Sequence, residues 1–200
     1  MKRCLALSVA LASASCPLRG ATHEDNDRAK SLYQRGLAGD GHAVTDCIAL
    51  LESILKSEPG NQLARVYLGS AHTLRSRDLS FGPEKLHALR QGLTLMDEAA
   101  NAAPKDLRVQ LVRAVTNQSL PPFLGRREIA RNELYYVVEL VEREPGGLSP
   151  SDQQLLYLNA GLAAKQSGDK RLALKLWKRG LTTQGDPKLT ADLQAALSGL

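Results

Sequence analysis

The sequence predicts an all-α fold, and three features support this prediction. Ala and Leu abound among the 200 residues while Val and Ile are few, which favours helix over sheet. Aromatic residues make up only 4% of the chain. Prolines follow amphipathic helical segments at regular intervals of 45, 41 and 42 residues, at Pro59, Pro104, Pro145 and Pro187. Because a proline ends a helix, this spacing indicates a tandem array of helical hairpins.

The first segment has the layout of a secretory signal peptide. Two cations, Lys2 and Arg3, precede an apolar run over residues 5–14, and a polar acidic stretch follows. The run is about ten residues long, well short of the roughly 20 that cross a bilayer. We therefore predict a signal peptide over residues 1–21 and an exported, periplasmic or envelope-associated protein. Cleavage could follow residue 14 or residue 21, and a lipoprotein variant would place a lipid anchor on Cys16.

Removal of the leader changes the charge and the cysteine count. Three cations would leave with residues 1–21, reducing Lys plus Arg from 26 to 23 against 21 acidic residues. A nearly neutral chain has no electrostatic basis for nucleic-acid binding. Cys4 and Cys16 belong to the leader region, so Cys47 is expected to remain unpaired and no disulfide framework is predicted.

Small residues at fixed places within each unit indicate that paired helices pack closely. The last unit, residues 154–187, carries Gly161 on its first helix, the turn SGDK, and then Ala173, Trp177 and Gly180 on its second helix. This unit resembles the tetratricopeptide repeat, which has a small residue at its eighth position, Ala at its twentieth, a large aromatic at its twenty-fourth and a small residue at its twenty-seventh.

The same pattern extends to the three earlier units, and the resemblance covers about residues 27–187. It implies a right-handed α-solenoid of about four hairpins in a protein of the bacterial cell envelope, with residues 188–200 as a C-terminal capping helix. A plain helical bundle is the alternative, because small residues and prolines also occur at bundle contacts. The corresponding residues are Gly36, Cys47, Leu51, Ile54 and Pro59 in the first unit, Gly69, Gly92, Met96, Ala99 and Pro104 in the second, and Ala114, Ala130, Leu134, Val137 and Pro145 in the third.

The two middle units carry extra chain between their helices. The separation between the paired small residues is 11 residues in the first unit and 12 in the fourth, but 23 and 16 in the middle two. The inserts read RSRDLSFGPEK and NQSLPPFLGRR, and they hold the only phenylalanines, Phe81 and Phe123. Pro121 and Pro122 are expected to stop a helix, and Gly125 to turn the chain. Because successive hairpins stack, the inserts are expected side by side on one edge.

Two interpretations of the inserts stay open. In the first, Phe81 and Phe123 pack on each other or on the lengthened helices as a local core. In the second, they flank a ligand groove in which four arginines supply donors for carboxylate or phosphate groups. The second insert also resembles an LPPF-(L/F)-GR element of exported bacterial tetratricopeptide-like proteins. The four arginines are Arg75, Arg77, Arg126 and Arg127.

The resemblance also implies a binding surface. First helices line the concave face of a tetratricopeptide array, and the corresponding positions here form a mixed set with few charges, suited to an extended or helical protein segment. We therefore predict a non-enzymatic scaffold that binds a protein or peptide partner. A solute-binding accessory subunit of a transporter, holding a small anionic ligand, is the alternative. The positions are Val66, Ser70, Thr73, Leu158, Leu162, Lys165 and Gln166.

No catalytic, cofactor or metal motif is recognised, so an enzyme is the third and weakest class. The four histidines, His23, His42, His72 and His87, are scattered and have no partner at a metal-ligand spacing. His87 is expected to be half-buried, and Trp177 to lie in the core. Tyr135 and Tyr136 are adjacent, so they cannot share one helix face, and one of them is expected to pack while the other lies near the surface.

Overall fold

The computed structural model describes residues 23–144 and 146–200, and this part of the chain is all-helical, without strands. The predicted signal peptide, both of its cleavage positions and Cys16 lie outside the described residues, as does Pro145. No helix within the described residues has the length and apolar character needed to cross a membrane. The helices are α1 His23–Leu37, α2 Gly41–Ser57, α3 Gln62–Asp78, α4 Pro83–Ala102, α5 Leu107–Ser119, α6 Arg127–Arg143, α7 Pro150–Gln166, α8 Lys170–Leu181 and α9 Pro187–Ser198, with a 3-10 turn at Pro122–Leu124.

Polar caps and prolines define the helix ends. Six helices begin after an Asp, Asn or Ser whose side chain accepts a hydrogen bond from a backbone N–H of the first turn, which satisfies donors that the helix itself leaves unpaired. Helix α2 ends two residues before Pro59 and α4 two residues before Pro104, as predicted. Pro187 instead opens α9, because α8 already ends at Leu181. The six caps are Asp40, Asn61, Asp106, Ser149, Asp169 and Asp186.

Each helix packs against the next one along the chain. The odd-numbered helices also contact one another in order, α1 with α3, α3 with α5, α5 with α7 and α7 with α9. The buried apolar side chains form three clusters, one within α1 to α3, one joining α3, α4 and α5, and one from α5 to α9. The core is therefore distributed along the chain.

The predicted small residues lie where paired helices come closest. A Cβ atom placed on Gly69 would lie 2.6 Å from the carbonyl oxygen of Gly92, and one on Gly92 would lie 2.6 Å from the oxygen of Gly69. In the last unit, a Cβ on Gly161 would meet the indole of Trp177 at 2.1 Å. Trp177 is fully buried and donates from Nε1 to the carbonyl of Leu158 at 3.1 Å, which confirms its predicted place in the core. In the third unit, the four assigned residues that the structure describes are all fully buried, namely Ala114, Ala130, Leu134 and Val137.

Candidate functional site

The two inserts form two exposed connections, which we name the first tip (residues 79–82) and the second tip (residues 120–126). Phe81 is 90% exposed on the first tip and Phe123 is 84% exposed on the second. Side chains this exposed pack on nothing, so the interpretation that they form a local core is wrong. Most of the extra chain in the first insert instead lengthens α3 and α4, which leaves only four residues between them.

The second tip is built as its prolines predict. Helix α5 ends at Ser119, and Leu120 is extended, as expected for a residue that precedes a proline. Gly125 has a φ of 68°, in the left-handed region that glycine adopts without steric cost, and Arg126 then begins α6 as its N-cap. The predicted break is confirmed, and it presents Phe123 on a single 3-10 turn.

Arg126 does not extend into solvent with Phe123. Its guanidinium donates two hydrogen bonds to the carboxylate of Asp97 on α4, at 3.2 and 3.0 Å. Asp97 also accepts from Arg113 of α5, which in turn contacts Glu133 of α6. Burial raises the pKa of Glu133, while the charge of Arg113 acts in the opposite direction. Arg126 therefore belongs to a charge network that joins α4, α5 and α6.

The remaining arginines of the inserts divide into one engaged side chain and two free ones. Arg77 donates to the carbonyl of Gly36 at 2.9 Å and to Asp78 at 2.7 Å, so it joins the end of α1 to the end of α3. Arg75 and Arg127 are exposed, and their guanidinium groups make no hydrogen bond or ion pair with any described residue. Among the described residues, the guanidinium groups of these two arginines therefore keep all of their donors free.

The two tips meet α4 at different levels. The first tip joins α4 at Pro83, whereas Arg126 of the second tip pairs with Asp97. At 1.5 Å per residue these two positions are about 21 Å apart along the helix. The tips are therefore staggered, and the expected side-by-side placement is wrong, because the α3–α4 hairpin is lengthened far more than the α5–α6 hairpin.

Three of the seven residues predicted on a concave surface are buried inside the fold. Val66 is fully buried and Ser70 is 1% exposed, so their predicted exposure is wrong. Ser70 bonds Tyr33 of α1 at 2.6 Å and Thr116 of α5 at 2.8 Å. This chain of hydroxyl groups links α1, α3 and α5.

The other predicted surface positions are also engaged. Thr73 is buried and donates to the carbonyl of Ser70. Leu158 and Leu162 are half-buried against the core cluster of α5 to α9. Lys165 donates to the carbonyl of Gly199, and Gln166 accepts from Gln118 of α5 at 2.8 Å. Leu158 and Leu162 therefore keep only part of their apolar surface free.

A cleft of about 490 Å³ lies where α3 and α4 meet the first tip. His72 lines it and is 3% exposed, with no hydrogen-bond partner for either ring nitrogen among the described residues. Burial lowers the pKa of His72. His87 also lines the cleft but is exposed, so the expectation that it is half-buried is wrong. Sequence reasoning missed this site, although Arg75 follows His72 by three residues and so shares its helix face.

An open groove of about 500 Å³ lies between α6 and α8. Its floor is apolar and includes Val138 and Leu176, while α6 supplies two acidic residues to one wall and α8 supplies three basic residues to the other. Tyr135 lines this groove and packs on the core, whereas Tyr136 is 52% exposed, as predicted for adjacent tyrosines. The acidic residues are Glu139 and Glu142, and the basic ones are Lys175, Lys178 and Arg179.

Comparison with known proteins gives no relative: no family model, no curated protein and no solved structure matches the chain. Among residues 23–144 and 146–200, no group of three or more His, Cys, Asp or Glu side chains is placed to hold a metal ion. Cys47 is a free thiol, buried between α1 and α2, and burial raises its pKa to about 11. The two tips, the cleft and the groove are therefore the candidate sites of this molecule.

Proposed function

We propose that this chain is an exported, non-enzymatic interaction module that holds a protein or peptide partner in the bacterial cell envelope. Its finer architecture, in this proposal, is a right-handed α-solenoid of about four tetratricopeptide-like hairpins followed by a capping helix. Support comes from the contacts between successive odd-numbered helices and from a core spread along the chain. In such arrays each hairpin packs chiefly on its neighbours, which leaves long surfaces for binding.

The exposure of Phe81 and Phe123 is the observation that carries the proposal. Fully burying a phenylalanine contributes about 1.5–3 kcal/mol, and neither residue gains this within the chain. A partner that covers both would gain about 3–6 kcal/mol, or roughly 10²- to 10⁴-fold in affinity before the costs of association. The free guanidinium of Arg127 lies four residues from Phe123 and offers donors beside the apolar contact.

Site-specific crosslinking in the native host tests the proposal. A photoreactive benzoylphenylalanine is introduced in place of Phe81, Phe123 or, as a control, the exposed Gln184 between α8 and α9. We expect one discrete crosslinked protein from position 81 or position 123, and none from position 184. Equal and diffuse crosslinking at all three positions would contradict the proposal.

A matched pair of alanine variants separates recognition from folding. Because Phe81 and Phe123 are exposed, Phe81→Ala and Phe123→Ala should each change the free energy of unfolding by less than about 0.5 kcal/mol. The double variant should lose the partner identified by crosslinking. Retention of that partner with unchanged affinity would show that the tips are not the docking surface.

Export is part of the proposal and has its own test. The apolar run after Lys2 and Arg3 carries this expectation, and its residues lie outside the described part of the chain. Intact-mass measurement on the chain purified from its host should show loss of residues 1–14 or 1–21, or a lipid on Cys16. A full-length mass with Met1 retained in the cytosolic fraction would contradict export.

A further inference from the structure

The cleft beside the first tip has a size suited to a small solute. It lies between the last turns of α3 and the first turns of α4, and it is lined by Leu79 of the first tip and by Pro83, the first residue of α4. Its volume of about 490 Å³ falls within the range of small-molecule sites, roughly 300–1,000 Å³. Most of its other lining side chains carry polar groups, namely His72, Arg75, Glu84, His87 and Gln91.

The buried end of the cleft holds an imidazole without a partner. His72 is 3% exposed, and neither Nδ1 nor Nε2 has a hydrogen-bond partner among the described residues. Buried polar side chains nearly always have at least one partner, so an unpaired imidazole at a cleft calls for an explanation. A neutral imidazole carries one donor and one acceptor, and its protonated form carries two donors.

The open end of the cleft carries an unpaired arginine and a second histidine. Arg75 is exposed and its guanidinium pairs with no described residue, in contrast to Arg77 and Arg126, which both bond within the chain. His87 faces the same cleft from α4. Arginine has five N–H donors and no lone pair, so it selects an anion and disfavours a cation. Glu84 is the one acidic side chain of the lining and opposes an anion.

We propose that this cleft binds a small oxyanion, a carboxylate or a phosphate group, with Arg75 and His87 contacting its oxygens and His72 closing the buried end. The site is separate from the exposed phenylalanines and goes beyond the proposed docking function. The proposed anion site lies beside the first insert. In the second insert, Arg126 is already paired with Asp97.

Protonation should be coupled to this binding. Burial lowers the pKa of His72 most strongly. Among the titratable groups around it, Glu52 of α2 raises this pKa, while Arg75 of α3 and His87 of α4 lower it. An oxyanion on Arg75 cancels part of that positive charge, so protonated His72 becomes easier to form and gains an acceptor. For a ligand whose own charge does not change over this range, binding should therefore be tighter at pH 5.5 than at pH 7.5.

Imidazole NMR on the purified chain tests the site. We would titrate inorganic phosphate and succinate separately, with sodium chloride at equal ionic strength as the reference, and follow the His72 and His87 ring signals. We expect a saturable shift of both rings with phosphate, with succinate or with both, and the probe that saturates identifies the ligand class. Sodium chloride alone should give no saturable shift.

Variants at exposed positions decide whether the cleft is responsible. Arg75→Gln and His87→Gln should each weaken binding at least tenfold with unchanged melting temperature, because neither side chain is buried. Arg127→Gln, at the second tip, is the matched control and should bind like the unmodified chain. The proposal is overturned if neither probe saturates at 20 mM, or if Arg75→Gln binds as tightly as the control.

Discussion

Replacing Gly69 with Ala tests the close backbone contact between α3 and α4. On an ordinary helix this change stabilises, because Ala is favoured over Gly by about 1 kcal/mol in a helix interior. Here the added Cβ would lie 2.6 Å from the Gly92 oxygen, 2.7 Å from Cγ of Met96 and 2.9 Å from its backbone nitrogen. Two of these three atoms belong to the α4 backbone, so no side-chain rotation relieves the overlap. The helices must separate instead.

The size of the effect follows from two opposing terms. Ordinary contact begins near 3.4 Å, so α3 and α4 must move apart by several tenths of an ångström at the crossing. Overpacking of this kind costs typically about 1–3 kcal/mol, and the direct backbone contact places Gly69 toward the upper end. Subtracting about 1 kcal/mol of helix propensity leaves a net loss of about 2 kcal/mol. For a chain of this length the melting temperature should fall by about 4–8 °C.

Thermal unfolding followed by circular dichroism, together with urea titration, measures this difference. Gly41→Ala is the matched control, because Gly41 is also helical and its added Cβ would meet nothing nearer than Asp78 Oδ2 at 3.9 Å. We expect Gly41→Ala to leave stability unchanged or slightly raised. A Gly69→Ala variant as stable as the unmodified chain would refute the inference that small residues set the α3–α4 distance.

Three further predictions concern buried or paired groups. In a variant with Cys4 and Cys16 replaced by Ser, the Cys47 thiol should react with Ellman's reagent at pH 8 only as the chain unfolds. A pKa of about 11 leaves roughly 1 thiol in 1,000 ionised at this pH, and rapid labelling of the native chain would contradict the burial of Cys47. Arg126→Gln should lower the free energy of unfolding by about 1 kcal/mol in urea titration, and an unchanged midpoint would show that its pairing with Asp97 contributes nothing. Burial holds the pKa of His72 below its value in the unfolded chain, so acidification through about pH 6.5 protonates the unfolded state first and lowers stability. His72→Gln should therefore lose less free energy of unfolding between pH 7.5 and 5.5 than the unmodified chain does, and an equal loss in both chains would contradict this reasoning.

The helices and their packing positions could be read from the sequence because their signals are local. Gly69, Gly92 and Gly161 mark close crossings, and the structure places each one against a partner helix. The break at Pro121 and Pro122 was predictable for the same reason, since a proline removes a backbone donor and fixes φ. Pro187 shows the limit of this reasoning, because a proline also suits the first turn of a helix, and here it opens α9.

The candidate site was harder to predict because it depends on contacts between distant parts of the chain. Arg126 and Arg75 look alike in the sequence, yet Asp97, 29 residues from Arg126, neutralises only the former. The sequence position of Ser70 predicts a surface residue, but in the structure its hydroxyl group forms hydrogen bonds with Tyr33 and Thr116. The stagger of the two tips could not be predicted, because the length of an insert does not show whether its residues form a loop or, as in the first insert, lengthen two helices.

The distance between α1 and α9 tests the central proposal, a row of hairpins, most directly. Spin labels at Lys30→Cys and Gln194→Cys, both exposed, with the three native cysteines replaced, report it by double electron–electron resonance. Four successive steps between odd-numbered helices, at about 8–10 Å each, span at most about 32–40 Å, and the curvature of a solenoid brings its two ends closer than this sum. We therefore expect a separation between about 20 and 40 Å. A narrow distribution of spin–spin distances centred below about 20 Å would instead place α1 and α9 around one shared core. That result would contradict the arrangement of the hairpins in a row.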